Sequence, residues 1–122
     1  YEWQNVGDGK RPIYIRLKSG RPFGFAGLYE VWEPPEGEPL TTCTIITTEA
    51  NELMKPIHDR MPVIIAKDRE DFWLDPEVKD QDSLLELLKP YPAEDMEAYP
   101  VSKRVNSPGN NSPDCIKRSE GR

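Results

Sequence analysis

Ile13, Ile15 and Leu17 alternate with Tyr14, Arg16 and Lys18 along the chain. A period of two sends successive side chains to opposite faces, so this run predicts a half-buried strand. Ser19-Gly20 after it predicts a turn. Tyr1-Glu2-Trp3, two aromatics around a carboxylate, reads as a further strand. FAGLYEVW at 25–32 predicts a third, with Phe25, Gly27, Tyr29 and Val31 on one face and Ala26, Leu28, Glu30 and Trp32 on the other. Pro34, Pro35, Gly37 and Pro39 predict a solvent loop that returns into TTCTIITT at 41–48, a β-branched run suited to a pleated surface. These last two strands are expected to pair antiparallel.

Helical signals are shorter. Thr48 can cap a helix over 49–55, which Pro56 stops. Residues 61–66 return to strand. Two small helices are predicted at 69–74 and 83–89, the second carrying Leu84, Leu85, Leu87 and Leu88. A last strand is expected at 101–105. Beyond Asn106 the composition turns to Ser, Pro, Gly and Asn, which predicts a loose tail over 107–122. The implied fold class is α+β, a mainly antiparallel sheet or open barrel with short peripheral helices.

Composition narrows the class. A chain of 122 residues fits one domain, and 36% apolar with 31% charged residues suits a globular protein. No apolar run approaches the roughly 18 residues a membrane helix needs. Cys43 and Cys115 lie far apart and match no metal-ligand spacing, so neither metal nor cofactor is expected, and a reduced cytoplasmic setting is the default. The net charge of −6 argues against a nucleic-acid binder when taken globally, but it is unevenly spread. Residues 1–21 carry 5 basic and 2 acidic side chains (+3), residues 30–99 carry 6 and 18 (−12), and residues 100–122 carry 5 and 2 (+3). A fold that joins the two ends creates a basic surface; otherwise the charge is simply solvated.

His58 is the single histidine, set in IHDRMPVII at 57–65 between Pro56 and an apolar run. Imidazole ordinarily titrates near neutrality and serves as acid or base with little tuning, although a lone histidine also commonly just satisfies backbone groups. Arg60 can grip a phosphate, and Asp59 fits a solvated turn. Glu2 between two aromatics is a candidate general acid, against the plainer reading of a strand glutamate facing water. Trp3 and Trp32 can stack on bases or fill a core. Cys43, His58 and Asn106 form a cysteine-peptidase set by residue type, but the β-run around Cys43 favours a buried, inert thiol.

YEW at 1–3, FAGLYEVW at 25–32, TTCTIITTEAN at 41–51, IHDRMPVII at 57–65 and VSKRVN at 101–106 follow one another in an order and spacing that resemble the SRAP family (SOS response-associated peptidases), which includes abasic-site processing proteins. The resemblance covers residues 1–106. It implies a protein of the SOS DNA-damage response that senses abasic sites in single-stranded DNA, is cytoplasmic and nucleoid-associated, and needs no cofactor. It implies covalent crosslinking through a cysteine at the mature N-terminus, whose amine condenses with the sugar aldehyde and whose thiol closes a thiazolidine. Carried over by motif, Glu2 and His58 become the acid–base groups, expected to face one cleft. Arg60 and Trp3 become DNA contacts, with Arg16 and Asn106 alongside; from the segment charges, the basic residues at 1–21, with Arg60 and Lys103 or Arg104, are expected to border the cleft while the acidic middle faces away.

Neither Cys43 nor Cys115 bears a free α-amine, so this chain resembles the C-terminal part of an SRAP domain whose nucleophile lies in an N-terminal part outside it. That N-terminal part and abasic single-stranded DNA are the expected partners, with no membrane. Rival readings are a thiol peptidase, a non-catalytic single-stranded DNA module and a purely structural β domain.

Overall fold

The computed structural model describes residues 1–120. Its chain divides into two compact units. The first is built from Tyr1–Pro22, Ala50–Arg60 and Pro92–Arg122, the second from Phe23–Glu49 and Met61–Tyr91.

In the first unit, β1 (Glu2–Val6) and β2 (Gly9–Leu17) form an antiparallel hairpin with Val6 opposite Gly9. The two-residue loop is Gly7-Asp8, and only Gly7 has a positive φ, 57°. A positive φ confined to the first loop residue is the type II′ pattern, whose twist matches that of the flanking strands. A later strand, Met96–Pro100, pairs with the far side of β2 and completes a three-stranded sheet. Ile13, Met96 and Tyr99 are buried there, as is Met54 from the segment over 50–60. The strand expected at 101–105 is therefore displaced toward the N-terminus. Lys103–Asn106 is a 3-10 turn started by Ser102, whose hydroxyl accepts from the Arg104 N–H.

The helix expected over 49–55 is absent. Asn51 organises a run of turns in its place: its side-chain oxygen accepts from Met54 N, its backbone oxygen from Met54 N and Lys55 N, and Met54 O accepts from Ile57 N and His58 N. Asparagine competes with helix by bonding the nearby backbone, and this segment follows that preference. Residues 107–120 were expected to be loose, but they fold back. Pro113–Ile116 is a 3-10 turn with Cys115 buried, Val101 bridges Arg118, and the Tyr1 and Tyr99 hydroxyls donate to the carbonyls of Cys115 and Ile116. Composition signals few apolar residues here; it does not register aromatics elsewhere that supply donors.

The second unit holds β3 (Gly24–Phe25), β4 (Gly27–Trp32), β5 (Leu40–Ile45), β6 (Thr47–Glu49), β7 (Arg60–Pro62, whose Arg60 belongs to the first unit) and β8 (Ile64–Ile65); the Met96–Pro100 strand is β9. The predicted pairing of the FAGLYEVW and TTCTIITT runs is present, with Tyr29 opposite Cys43 and Trp32 opposite Leu40. Both runs are interrupted, at Ala26 and Ile46, where the backbone turns to bond elsewhere: Ala26 N–H to Val63 O, Ile46 N–H to Ala26 O and Val63 N–H to Ile46 O. Ala26, Val63 and Ile65 form a small core packed by Ile46, Trp73, Leu87 and Leu88. Helix α1 (Glu70–Leu74) lies within the expected span. Helix α2 is shorter and earlier than predicted, Gln81–Leu85, because Asp80 caps it by accepting from Asp82 N–H. The observed architecture is mostly antiparallel strands in several small sheets with few short helices, as the sequence pattern indicated.

Candidate functional site

Cross-strand register decides what β1 offers. Directly opposed residues share a face, so Trp3 with Pro12 and Asn5 with Lys10 lie on one side, and Glu2 with Ile13 and Gln4 with Arg11 on the other. Trp3, Asn5 and Lys10 line an open cleft of about 430 Å³, closed by Lys55, Pro56, Ile57, His58 and Asp59 from the Asn51-led turns. Trp3 keeps its ring accessible while its indole N–H donates to Asn106 Oδ1 at 2.7 Å. That bond ties the Lys103–Asn106 turn to the cleft wall.

The hydrogen bonds and ion pair of the His58 ring fall on Nδ1. The Arg60 N–H donates to Nδ1 at 3.1 Å, Arg60 O lies 3.0 Å away, and Asp59 Oδ1 lies 3.2 Å away. In the neutral ring Nδ1 either accepts from the Arg60 N–H, with the proton on Nε2, or carries the proton and donates to Arg60 O or Asp59 Oδ1. In the imidazolium form Nδ1–H has the Arg60 carbonyl and the Asp59 carboxylate as acceptors. The ring therefore has a partner in either protonation state, and Nε2 is the nitrogen available to a bound molecule. With its side chain 46% exposed, His58 is reachable from solvent.

The other expected site residues are placed variously. Glu2 does not line the cleft with His58, contrary to expectation: it is half-buried on β1, and strand alternation puts it on the face of Gln4, opposite Trp3. Gln4 Nε2 donates to Pro56 O at 2.8 Å, so that face also reaches the turn bearing His58. Arg60 is exposed and supplies both backbone contacts to the imidazole. Arg16 does not join the cleft: its guanidinium pairs with Glu97 Oε1 at 2.5 Å and lies 5.7 Å from the Tyr99 ring centroid. The Glu97 hydrogen bond raises the Arg16 pKa further above its ordinary value. Cys43, expected buried, is exposed, because the β4–β5 hairpin that carries it leaves both faces open. Neither cysteine lines the cleft. Lys10 was expected at the cleft as one of the basic residues at 1–21, whereas Asn5 and Lys55 escaped the sequence reading: the Gly7-Asp8 turn and its register bring Asn5 there, and the Asn51-led turns bring Lys55. Among the described residues no cluster of His, Cys, Asp or Glu could hold a metal ion.

The family profile described as "SOS response associated peptidase (SRAP)" matches residues 1–108. The chain belongs to the SRAP family. This SRAP chain is 58% identical over 118 residues to the abasic site processing protein YoqW of Bacillus subtilis, a match covering 96% of the chain and 53% of YoqW. It is 38% identical to the abasic site processing protein HMCES of Gallus gallus, covering 95% of the chain and 40% of that protein. A crystal structure of a protein from Bacteroides thetaiotaomicron superimposes with a TM-score of 0.86 at 34% identity, covering 97% of the chain and 52% of that structure. The SRAP chain thus spans about half the length of YoqW.

Proposed function

We propose that this chain supplies the acid–base group and the DNA grip of a protein that crosslinks itself to abasic sites in single-stranded DNA. The observation carrying this reading is the His58 imidazole, fixed at Nδ1 in both protonation states beside a cleft that exposes an indole and two lysines. An abasic sugar brings an aldehyde, a phosphate on each side and neighbouring unpaired bases. Lys10 and Lys55 answer the phosphates, and the Trp3 face answers a base.

The chemistry needs an amine and a thiol on one residue, and neither Cys43 nor Cys115 has a free amine. Both are proposed to come from a cysteine at the mature N-terminus, on the polypeptide by which the relatives exceed this chain. The amine nitrogen adds to the aldehyde carbon, water leaves to give an imine, and the thiol sulfur adds to the imine carbon to close the thiazolidine. Each step moves a proton at an oxygen or nitrogen, which His58 Nε2 donates or takes up. Glu2 is proposed as the second acid–base group, and Arg60 and Asn106 as DNA contacts. Arg16 is assigned to the sheet through Glu97.

The test is a denaturing gel with an abasic oligonucleotide. The chain joined behind an N-terminal-cysteine segment from a relative should give a covalent band, and the chain alone none. His58→Ala in the joined protein should slow crosslinking by about 10²–10⁴-fold, the usual worth of a positioned acid or base. A band from the chain alone overturns the N-terminal-cysteine chemistry. An unchanged rate for His58→Ala and Glu2→Ala removes both from it, leaving a binding module.

A further inference from the structure

We propose that Gln4 is a positioning residue for His58, acting through the Pro56 carbonyl; this rests on the acid–base reading of His58 above. The argument begins with the hairpin. The Gly7-Asp8 turn sets a register in which Gln4 and Arg11 are directly opposed, and a one-residue slip would turn Gln4 to the other face. In this register Arg11 Nη2 donates to Gln4 Oε1 at 2.7 Å. A guanidinium has no acceptor, so it fixes which end of the amide is oxygen and leaves Nε2 as the donor facing outward. That donor meets Pro56 O at 2.8 Å.

The receiving carbonyl is one the turn does not use itself. Within the 51–58 segment the backbone bonds fall on Asn51 O and Met54 O, the latter accepting from both Ile57 and His58 N–H. Pro56 O is thereby available, two residues before the imidazole. Met54, 2% exposed, anchors the middle of the turn in the core, while Pro56 and Ile57 stand at the cleft rim. The Gln4 bond therefore restrains the exposed end of a turn anchored in the core at Met54. Without it the Pro56–Ile57 peptide is held on its N–H side alone, through Ile57 N–H to Met54 O, and the end of the turn that carries His58 is less restrained.

The test uses the fact that His58 is the chain's single histidine, so its ring Cε1–H gives one proton resonance. Gln4→Met removes the donor without adding charge. Gln4→Glu removes it while retaining an acceptor for Arg11. Both variants should shift and broaden the imidazole resonance, and Arg11→Met, which frees the amide to flip, should do so less. In the joined protein both Gln4 variants should slow crosslinking about two- to tenfold, the worth of one neutral hydrogen bond. Affinity for an uncleavable abasic analogue should not change. An imidazole resonance identical to that of the unaltered chain in both variants overturns the proposal. A change in Gln4→Glu only, which charge alone explains, overturns it as well. A displaced imidazole with an undiminished rate leaves Gln4 in its positioning role and counts instead against His58 as the acid–base group.

Discussion

Tyr1 carries a constraint that reaches across the first unit. Its ring packs 5.3 Å from Tyr14 and 6.5 Å from Trp3 between centroids, and its hydroxyl donates to Cys115 O. Burial raises its pKa above the ordinary 10.0, helped by Cys115, Tyr14 and Tyr99, because the phenolate loses hydration and meets groups that become negative. A group whose folded pKa is raised binds its proton more tightly in the native state. Its contribution to stability is complete below pH 10.0 and falls as pH rises through the raised value. Denaturant midpoints measured from pH 8 upward should decline beyond that point, and Tyr1→Phe should flatten the decline. An equal slope in both proteins would refute the linkage.

The β1–β2 hairpin is the element on which the site depends, since it sets Trp3, Asn5 and Lys10 on the cleft face and Gln4 opposite Arg11. Gly7 makes its turn at φ 57°, and a Cβ there would meet nothing within 4 Å. Gly7→Ala thus tests backbone conformation without a steric clash, and should cost about 1–2 kcal/mol, the penalty for an L-residue in that region. Equilibrium unfolding measures it; a loss near zero would mean the turn relaxes to another type. Helices are less legible than strands at this scale. Asn51 and Asp80, through side-chain bonds to backbone N–H groups, moved or replaced the elements that the apolar pattern alone indicated.

Over the whole molecule, charge separates by unit. The first carries 12 basic and 9 acidic side chains (+3), the second 4 and 13 (−9), so the cleft lies in the positive one. Single-stranded DNA bound there should release counterions, with log affinity falling against log salt by about 0.7 for each phosphate neutralised. Lys10→Gln should reduce that slope by about 0.7, while Glu36→Gln and Glu38→Gln in the second unit should leave it unaltered. Anisotropy titrations over a salt series measure this. A slope indifferent to Lys10 would place the DNA elsewhere.

Much was determined by the order of residues alone. The alternation at 13–18 and the β-branched run at 41–48 specify strands because a pleated backbone repeats every two residues. The five motifs specify the family because their order and spacing are a property of the chain. His58 stood out as the single imidazole at a strand junction. Tertiary structure decided what no local pattern carries. Cys43 is exposed because its hairpin leaves both faces open, although its neighbours read as buried. Residues 107–120 dock because Tyr1 and Tyr99, distant in sequence, supply hydroxyls to their carbonyls. Lys10 and Asn5 join His58 at one cleft because the hairpin register and the Asn51 turn bring them there. Arg16, equally basic, is taken by Glu97 across the sheet, since its partner on β9 stands 81 residues away in sequence but directly opposite in register.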